Sequence, residues 1–449
     1  MRAMKLFQTT TKARNLTTGC LLFLAGVMVA QEPEPILDRP TRLSDPAPML
    51  PMTPAPVLET MTLFPDAAES MSLEAEIDKK PWKFVLHGSA TATFNDNIFI
   101  SESNEQEDFI FTIAPGVAVG RGEFRNELAN LSSYQNRFDP DRSEMVASTN
   151  YIFLHYVPSV TVFADHSGEN SFDNDITLDG QYEWKRLTLG LKARFQTLNV
   201  PDVDLGARVK RNIFTGALTS KYDYSAKTSF ELNLFNYIRD YAGDRVDSVE
   251  YRAQAWMNYQ ARPKITLGVG LTYGRVELSR GPGQDYEQAL VRLRYRATEK
   301  VRFDLTGGVE FRNIDGLTDE TNGIFSLGVS YAPFDGTSLF IQSYRRTVTS
   351  ANSSPSNYTI TGLEVQIRQR FARRFYFVVA AGYQNAEYEF FASSAQRTDD
   401  IFYVRPSVGI DITQSLSCEV GASYRQDDST REGSSFSETT AYFQVNVFF

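Results

Sequence analysis

Strict alternation of apolar and polar residues constrains this chain more than any other feature, and it extends from about Lys83 to Phe449. In Val301–Arg312 the odd positions carry mainly valine, phenylalanine and leucine, while the even ones carry mainly arginine, aspartate, threonine and glutamate. Leu187–Gln196 and Lys264–Gly274 repeat the pattern. Successive side chains of a β-strand point to opposite faces, so this period predicts an all-β fold whose sheet has one apolar and one polar face.

Short turns recur at a nearly constant interval. Their spacings are 40, 38, 36, 36, 38 and 40 residues, measured between Lys185, Ser225, Pro263, Glu299, Asp335, Arg373 and Thr413. Longer polar segments lie between them, at Asp240–Arg245, Ser279–Gln284, Ser350–Ser356 and Asp427–Ser435. Alternating short and long connections are typical of transmembrane β-barrels, which have short periplasmic turns and longer extracellular loops.

Aromatic residues end the apolar faces on both sides. Those on the short-turn side are Tyr295, Tyr331 and Phe371, and those on the long-loop side are Tyr273, Tyr383 and Tyr424. Two such belts are expected where a barrel meets the two membrane interfaces. The last apolar face also ends on an aromatic residue at the C-terminus, the pattern that outer-membrane barrels present to their assembly machinery. It consists of Ala441, Phe443, Val445, Val447 and Phe449.

A sheet that spans lipid must close on itself, because no backbone hydrogen-bonding group can stay unpaired there. We therefore predict a closed antiparallel transmembrane β-barrel over residues 81–449, with about 18 strands and a range of 16–20. Both termini should lie in the periplasm, and the barrel in the outer membrane of a Gram-negative bacterium. Oligomeric state does not follow from the pattern.

The first 80 residues lack the alternation. Basic residues precede the apolar run Cys20–Ala30, whose length suits a signal peptide and is too short for a transmembrane helix, so residues 1–30 are predicted to be a signal peptide. Gln31–Pro65 then holds nine of the 19 prolines. Residues 31–80 are predicted to form a largely disordered periplasmic linker, with docking to peptidoglycan or a partner as the alternative.

Composition excludes several functions. The net charge of -10 argues against nucleic-acid binding. After the signal peptide only Cys418 remains, and three scattered histidines make no convincing metal cluster, so we expect no cofactor and no metal. One rim hydrolase candidate is His166–Ser167 after Asp165; we expect no enzyme and keep a rim-sited outer-membrane hydrolase as an alternative.

Many charged residues fall on the polar, inward faces. The predicted lumen-lining residues are Arg292, Arg294, Arg296, Arg302, Arg312, Arg368, Arg370, Asp304, Glu310 and Glu364. One interpretation is a self-paired network that stiffens a water-filled pore. The other is an arginine ladder that guides anionic solutes such as phosphate or an acidic polysaccharide.

The chain also resembles a known family. The segments Phe94-Asn-Asp-Asn-Ile-Phe and Asp108-Phe-Ile-Phe-Thr-Ile-Ala-Pro-Gly-Val, together with the regular hairpins, are similar to the β-barrel porin type 2 family, over roughly Lys83 to Phe449. The resemblance implies an outer-membrane barrel associated with exopolysaccharide production or export, and it brings no catalytic residues.

From the residues and the resemblance we expect a porin-like channel for polar or anionic solutes, linked to exopolysaccharide export. The alternative is a structural or surface-binding barrel without transport. Expected partners are outer-membrane lipid and lipopolysaccharide, the barrel-assembly machinery and an anionic polysaccharide.

Overall fold

Eighteen β-strands account for most of the computed structural model, which describes residues 81–122, 124, 150–354, 356–372, 374–391 and 396–449. The first nine are β1 (Lys83–Asn95), β2 (Asp108–Gly122), β3 (Tyr151–Phe163), β4 (Ser171–Trp184), β5 (Leu187–Asp202), β6 (Ala207–Asp223), β7 (Thr228–Tyr241), β8 (Ser248–Arg262) and β9 (Ile265–Leu278). The others are β10 (Gln284–Arg296), β11 (Val301–Ile314), β12 (Glu320–Tyr331), β13 (Thr337–Thr349), β14 (Ser356–Phe371), β15 (Phe375–Phe390), β16 (Gln396–Asp411), β17 (Leu416–Ser429) and β18 (Phe436–Phe448).

The strands form one closed sheet. Each strand pairs antiparallel with its neighbours in sequence, and β18 pairs with β1. The closing register places Ala441 opposite Phe94, and backbone bonds between Leu86 and Phe449 continue it to the last residue. The prediction of a closed antiparallel barrel with about 18 strands is confirmed.

Apolar side chains cover the outside of the barrel. Leu271 and Val291, in the middle of β9 and β10, keep 69% and 62% of their surface exposed. Tyr295 and Tyr331 are exposed at one end of this band, and Tyr273 and Tyr383 at the other. An exposed apolar band between two aromatic belts is the exterior that a bilayer requires of a spanning barrel.

The two ends of the barrel differ. We call the "turn end" the one formed by connections 185–186, 224–227, 263–264, 297–300, 332–336, 372–374 and 412–415, which have two to five residues. The "loop end" is formed by 96–107, 164–170, 203–206, 242–247, 279–283, 315–319, 350–355, 391–395 and 430–435, which have four to twelve. The four long segments expected from the sequence all lie at the loop end.

One connection departs from this division. β2 ends and β3 begins at the turn end, and more residues separate Gly122 from Tyr151 in sequence than any loop at the other end contains. Of this segment only Phe124 and Asn150 belong to the described residues.

The predicted signal peptide and linker, residues 1–80, also lie outside the described residues. In the part of the chain that the structure describes, no helix is long and apolar enough to cross a membrane.

Candidate functional site

The predicted lumen residues lie on the strand faces opposite the apolar band, which are the interior faces of the barrel. Arg292, Arg294 and Arg296 follow one another along the interior face of β10, and Arg302 of β11 pairs directly with Arg296. Arg302 and Arg294 share one acid, because Asp304 lies 2.8 Å from Arg302 and 4.0 Å from Arg294, while Arg292 lies 3.0 Å from Glu231. A role in solute passage stays a prediction.

The other predicted positions also have partners. Arg312 is buried and forms an ion pair of 2.9 Å with Glu310. Arg370 lies 3.3 Å from Asp411, and Glu364 accepts a hydrogen bond from the Tyr403 hydroxyl. The interior thus contains features of both interpretations of the sequence. Paired acids and bases are typical of a self-paired network, and the successive arginines on β10 and β11 are typical of an arginine ladder.

Aromatic rings, which the sequence interpretation did not place inside the barrel, cover much of the interior wall. Tyr403 lies opposite Gly382 in the register of β15 and β16, and Tyr376 lies opposite Gly409. A Cβ on either glycine would collide with the ring, so the ring lies directly on the backbone of the next strand. The same arrangement recurs for Tyr344 on Gly362, Tyr286 on Gly274 and Trp256 on Gly270.

Each of these five rings also carries an arginine. The guanidinium carbon lies 4.2–5.3 Å from the ring centroid, with Arg405 on Tyr403, Arg368 on Tyr376, Arg346 on Tyr344, Arg312 on Tyr286 and Arg292 on Trp256. Such distances allow cation–π attraction. With glycine below and arginine above, the rings offer no free face for stacking on a sugar. The wall presents guanidinium groups instead.

A loop crosses the mouth at the loop end. The "tip" of the β5–β6 hairpin, Val203–Gly206, contacts strands that β5 and β6 do not pair with. Arg397 of β16 donates to the backbone oxygens of Asp204 and Val203, at 2.9 and 3.4 Å. The hairpin therefore folds across the interior.

Polar contacts hold the tip on a second side. The Asp204 carboxylate accepts hydrogen bonds of 2.8 Å from the Ser350 hydroxyl and from the Ala351 amide, both in the loop between β13 and β14. Burial raises the pKa of the Asp204 carboxyl, and the neighbouring Asp202 adds to the rise. The Asp204 carboxyl of the docked tip is therefore protonated more readily than it would be if the tip were exposed to water.

Apolar contacts complete the mouth. Val203, only 2% exposed, packs with Ile100, Ile401 and Phe436, which come from the first loop, β16 and β18. Leu205 belongs to a second cluster with Val209, Tyr241 and Ala351. A tip buried in this way narrows the loop-end mouth of the barrel.

The hydrolase candidate has only part of a catalytic arrangement. His166 Nδ1 lies 2.8 Å from Asp108, whose carboxylate also accepts bonds from the backbone amides of residues 164–166. Among the described residues no serine hydroxyl bonds to the other ring nitrogen. The pair therefore anchors the loop between β3 and β4. Within the same described ranges, no three His, Cys, Asp or Glu side chains come together as a metal site would require.

No family model matches the chain, and no curated protein matches it. Solved structures do match. OccK11 (OpdR) of Pseudomonas aeruginosa is 11% identical with a TM-score of 0.39, over 82% of this chain and 96% of that one. OccK2 (OpdF) of the same species, solved also with glucuronate, gives 10% and 0.43, over 82% and 98%. OccAB3 of Acinetobacter baumannii gives 9% and 0.41, over 82% and 99%. At TM-scores below 0.5 these likenesses carry no argument about what the present chain does.

Proposed function

We propose that this chain is an outer-membrane, porin-like channel for polar solutes that prefers anions. The observation that carries the proposal is the interior wall, where guanidinium groups lie on aromatic rings and so face the inside of the barrel. Fixed positive charge in a confined passage raises the local concentration of anions and lowers that of cations.

The outer-membrane location is supported by closure and by the apolar band, because a closed sheet with a lipid-compatible exterior satisfies all backbone groups in a bilayer. In the proposed orientation the turn end and the C-terminus face the periplasm. Passage of an anionic polysaccharide is a narrower proposal, supported by the guanidinium groups on the interior wall and by the resemblance to the β-barrel porin type 2 family.

A barrel without transport is the second candidate, and the docked tip favours it. A mouth filled by Val203 and its apolar neighbours would block solutes if the tip never moved. Conductance decides between the two, because a permanently blocked barrel gives no current steps.

The test is a recording of the refolded barrel in planar bilayers under a KCl gradient. We expect discrete conductance steps and a reversal potential shifted toward that of chloride. Two neighbouring arginines give matched variants, since Arg346 lies on Tyr344 inside the barrel while Arg345 contacts Thr361 and Glu387 on the outer face. Arg346→Gln should lower the chloride preference about twofold, and Arg345→Gln should leave it unchanged. A well-folded barrel without any conductance would contradict the proposal and support the second candidate.

A further inference from the structure

Exposed charges in the turns of the turn end are mainly basic. Among the described residues of these turns, six basic side chains are exposed against two acidic ones, Glu299 and Asp335. The loops of the other end show the reverse, with eight exposed acidic side chains and two basic ones in their described part. We call the six basic residues the "basic rim": Lys185, Arg186, Lys227, Lys264, Lys300 and Arg374.

The basic rim lacks acidic partners within the part of the chain that the structure describes, where no ion pair involves any of its six residues. Lys264 and Lys300 donate instead to the backbone oxygens of Ala297 and Pro333, in the neighbouring turns, at 3.4 and 2.7 Å. A neutral carbonyl leaves the charge of an ammonium group uncompensated. The rim therefore attracts anionic groups.

The chain carries the opposite charge shortly before the barrel begins. Residues 59–78, the "acidic segment", contain six acidic side chains and no basic one. They are Glu59, Asp66, Glu69, Glu74, Glu76 and Asp78. The acidic segment leads into β1, whose first residue, Lys83, lies at the turn end. This tether gives the segment a high effective concentration at the basic rim.

Chain length decides which turns the acidic segment can reach. Strands about 4.8 Å apart and tilted as in other barrels make an 18-stranded barrel about 35 Å wide. Glu69 lies 14 positions before Lys83, a stretch that spans at most about 46–50 Å. Lys264 and Lys300 lie in the turns before β9 and β11, roughly opposite β1 in the closed sheet. A segment that reaches them from β1 crosses the mouth.

We propose that the acidic segment docks on the basic rim and lies across the turn-end mouth of the barrel. The contact joins carboxylates to lysine and arginine side chains near water, so it weakens as salt is added. Residues 125–149, which follow β2, carry four acidic and three basic side chains and match the rim less well. Anionic lipid headgroups match its charge but have no tether. The inference goes beyond the proposed function, since docking does not require that the barrel conducts.

Distances between two spin labels test the inference. One label is placed on Ser70→Cys in the acidic segment and the other on Thr298→Cys in the turn that holds Lys300. Cys20→Ser and Cys418→Ser remove the native thiols, and the chain is folded in zwitterionic lipid. At low salt we expect a narrow distribution of distances. Its mean should be about twofold shorter than in concentrated NaCl, which screens the charges and releases the segment.

Charge reversals locate the contact. Lys264→Glu with Lys300→Glu should give at low salt the broad distribution that the parent shows only at high salt. Glu69→Lys with Glu74→Lys, added to this variant, should restore the short distance, because opposite charges again face each other.

Arg280→Glu with Arg431→Glu is the matched control, since it makes the same charge change at exposed positions of the loop end and should leave the distances unchanged. A distribution that is broad at low salt and insensitive to salt and to the rim reversals would overturn the inference. Loss of the short distance on dilution with unlabelled chains would show a contact between two chains and overturn it too. Its loss in vesicles that contain phosphatidylglycerol would assign the rim to lipid headgroups, again against the inference.

Discussion

A glycine opposite an aromatic residue organises the interior wall at the scale of single residues. The Tyr376 ring is fully buried against Gly409, and its hydroxyl donates a hydrogen bond of 2.9 Å to Glu419. The ring thus cannot turn away without breaking this bond. The fixed ring then supports Arg368, an attraction worth about 0.5–2 kcal/mol depending on how much water is excluded.

Replacement of this glycine should therefore be costly. Gly409→Ala places a methyl group into the Tyr376 ring, and we expect the free energy of unfolding to fall by about 1–3 kcal/mol, as in other overpacked sites. Urea titration of the folded barrel in detergent, followed by tryptophan fluorescence, measures the change.

Gly323→Ala is the matched control. Nothing lies within 4 Å of a Cβ at this strand position, so the change should stay within about 0.5 kcal/mol. Equal effects at both glycines would show that strand propensity, not ring contact, determines the cost.

The sequence predicts the inward arginines but not the rings on which they lie. Parity alone places Arg292 and Arg368 on the polar face, because the period of a strand is two. Tyrosine is amphipathic and suits either face, so its side cannot be inferred from its chemistry. The available signal was the glycine-rich polar face of Lys264–Gly274, whose lack of side chains makes room for rings from neighbouring strands.

At the scale of elements, the β5–β6 hairpin differs from the rest of the barrel by what its tip contacts. Backbone oxygens of the tip bind Arg397, and the Asp204 carboxylate binds the loop between β13 and β14. The tip spans only four residues, so releasing it needs few broken bonds. A channel with this hairpin therefore has two available states, one with the tip docked and one with the tip released.

A reversible crosslink should show whether the tip restricts the current. Leu205 and Ala351 share one apolar cluster, so Leu205→Cys with Ala351→Cys, in a Cys418→Ser background, joins the tip to the opposite loop. We expect conductance to fall about tenfold under oxidising conditions, because a held tip keeps the mouth narrow. Dithiothreitol should restore it in the same recording.

Each single cysteine variant serves as the control and should not respond to oxidant. Should the crosslinked barrel conduct as well as the reduced one, current passes beside the docked tip and the tip is no barrier.

The crossing of the tip could not be predicted from the sequence. Val203–Gly206 has the length of an ordinary hairpin turn, and the residues that hold it come from distant parts of the chain, Arg397 being 193 positions from Asp204. Periodicity reports which face a residue occupies within its own strand. It carries no information on which loop folds inward.

For the whole molecule, the strand count could be predicted because closure and repetition constrain each other. Hairpins of similar length follow one another along residues 81–449, so their repeat length sets the approximate number of strands. A barrel with both termini at one end also needs an even number of strands. The long connection between Gly122 and Tyr151 did not change the count, since it adds no strand pair among the described residues.

The last strand serves two roles that one experiment can separate. Backbone pairing of β18 with β1 and β17 closes the barrel, while the side chain of Phe449 is 73% exposed and packs little. Phe449→Ala keeps the backbone bonds to Leu86. We therefore expect this variant to fold in detergent as the parent does, and to reach the outer membrane of cells at a level about fivefold lower.

Deletion of residues 445–449 is the control for closure. It removes the pairs of His87 and Leu416, leaves unpaired edges, and should prevent folding both in detergent and in cells. Mobility on unheated gels distinguishes folded from unfolded barrel in each case. If Phe449→Ala reaches the membrane normally, the terminal aromatic side chain is not part of an assembly signal, and closure alone explains the pattern of Ala441, Phe443, Val445 and Val447.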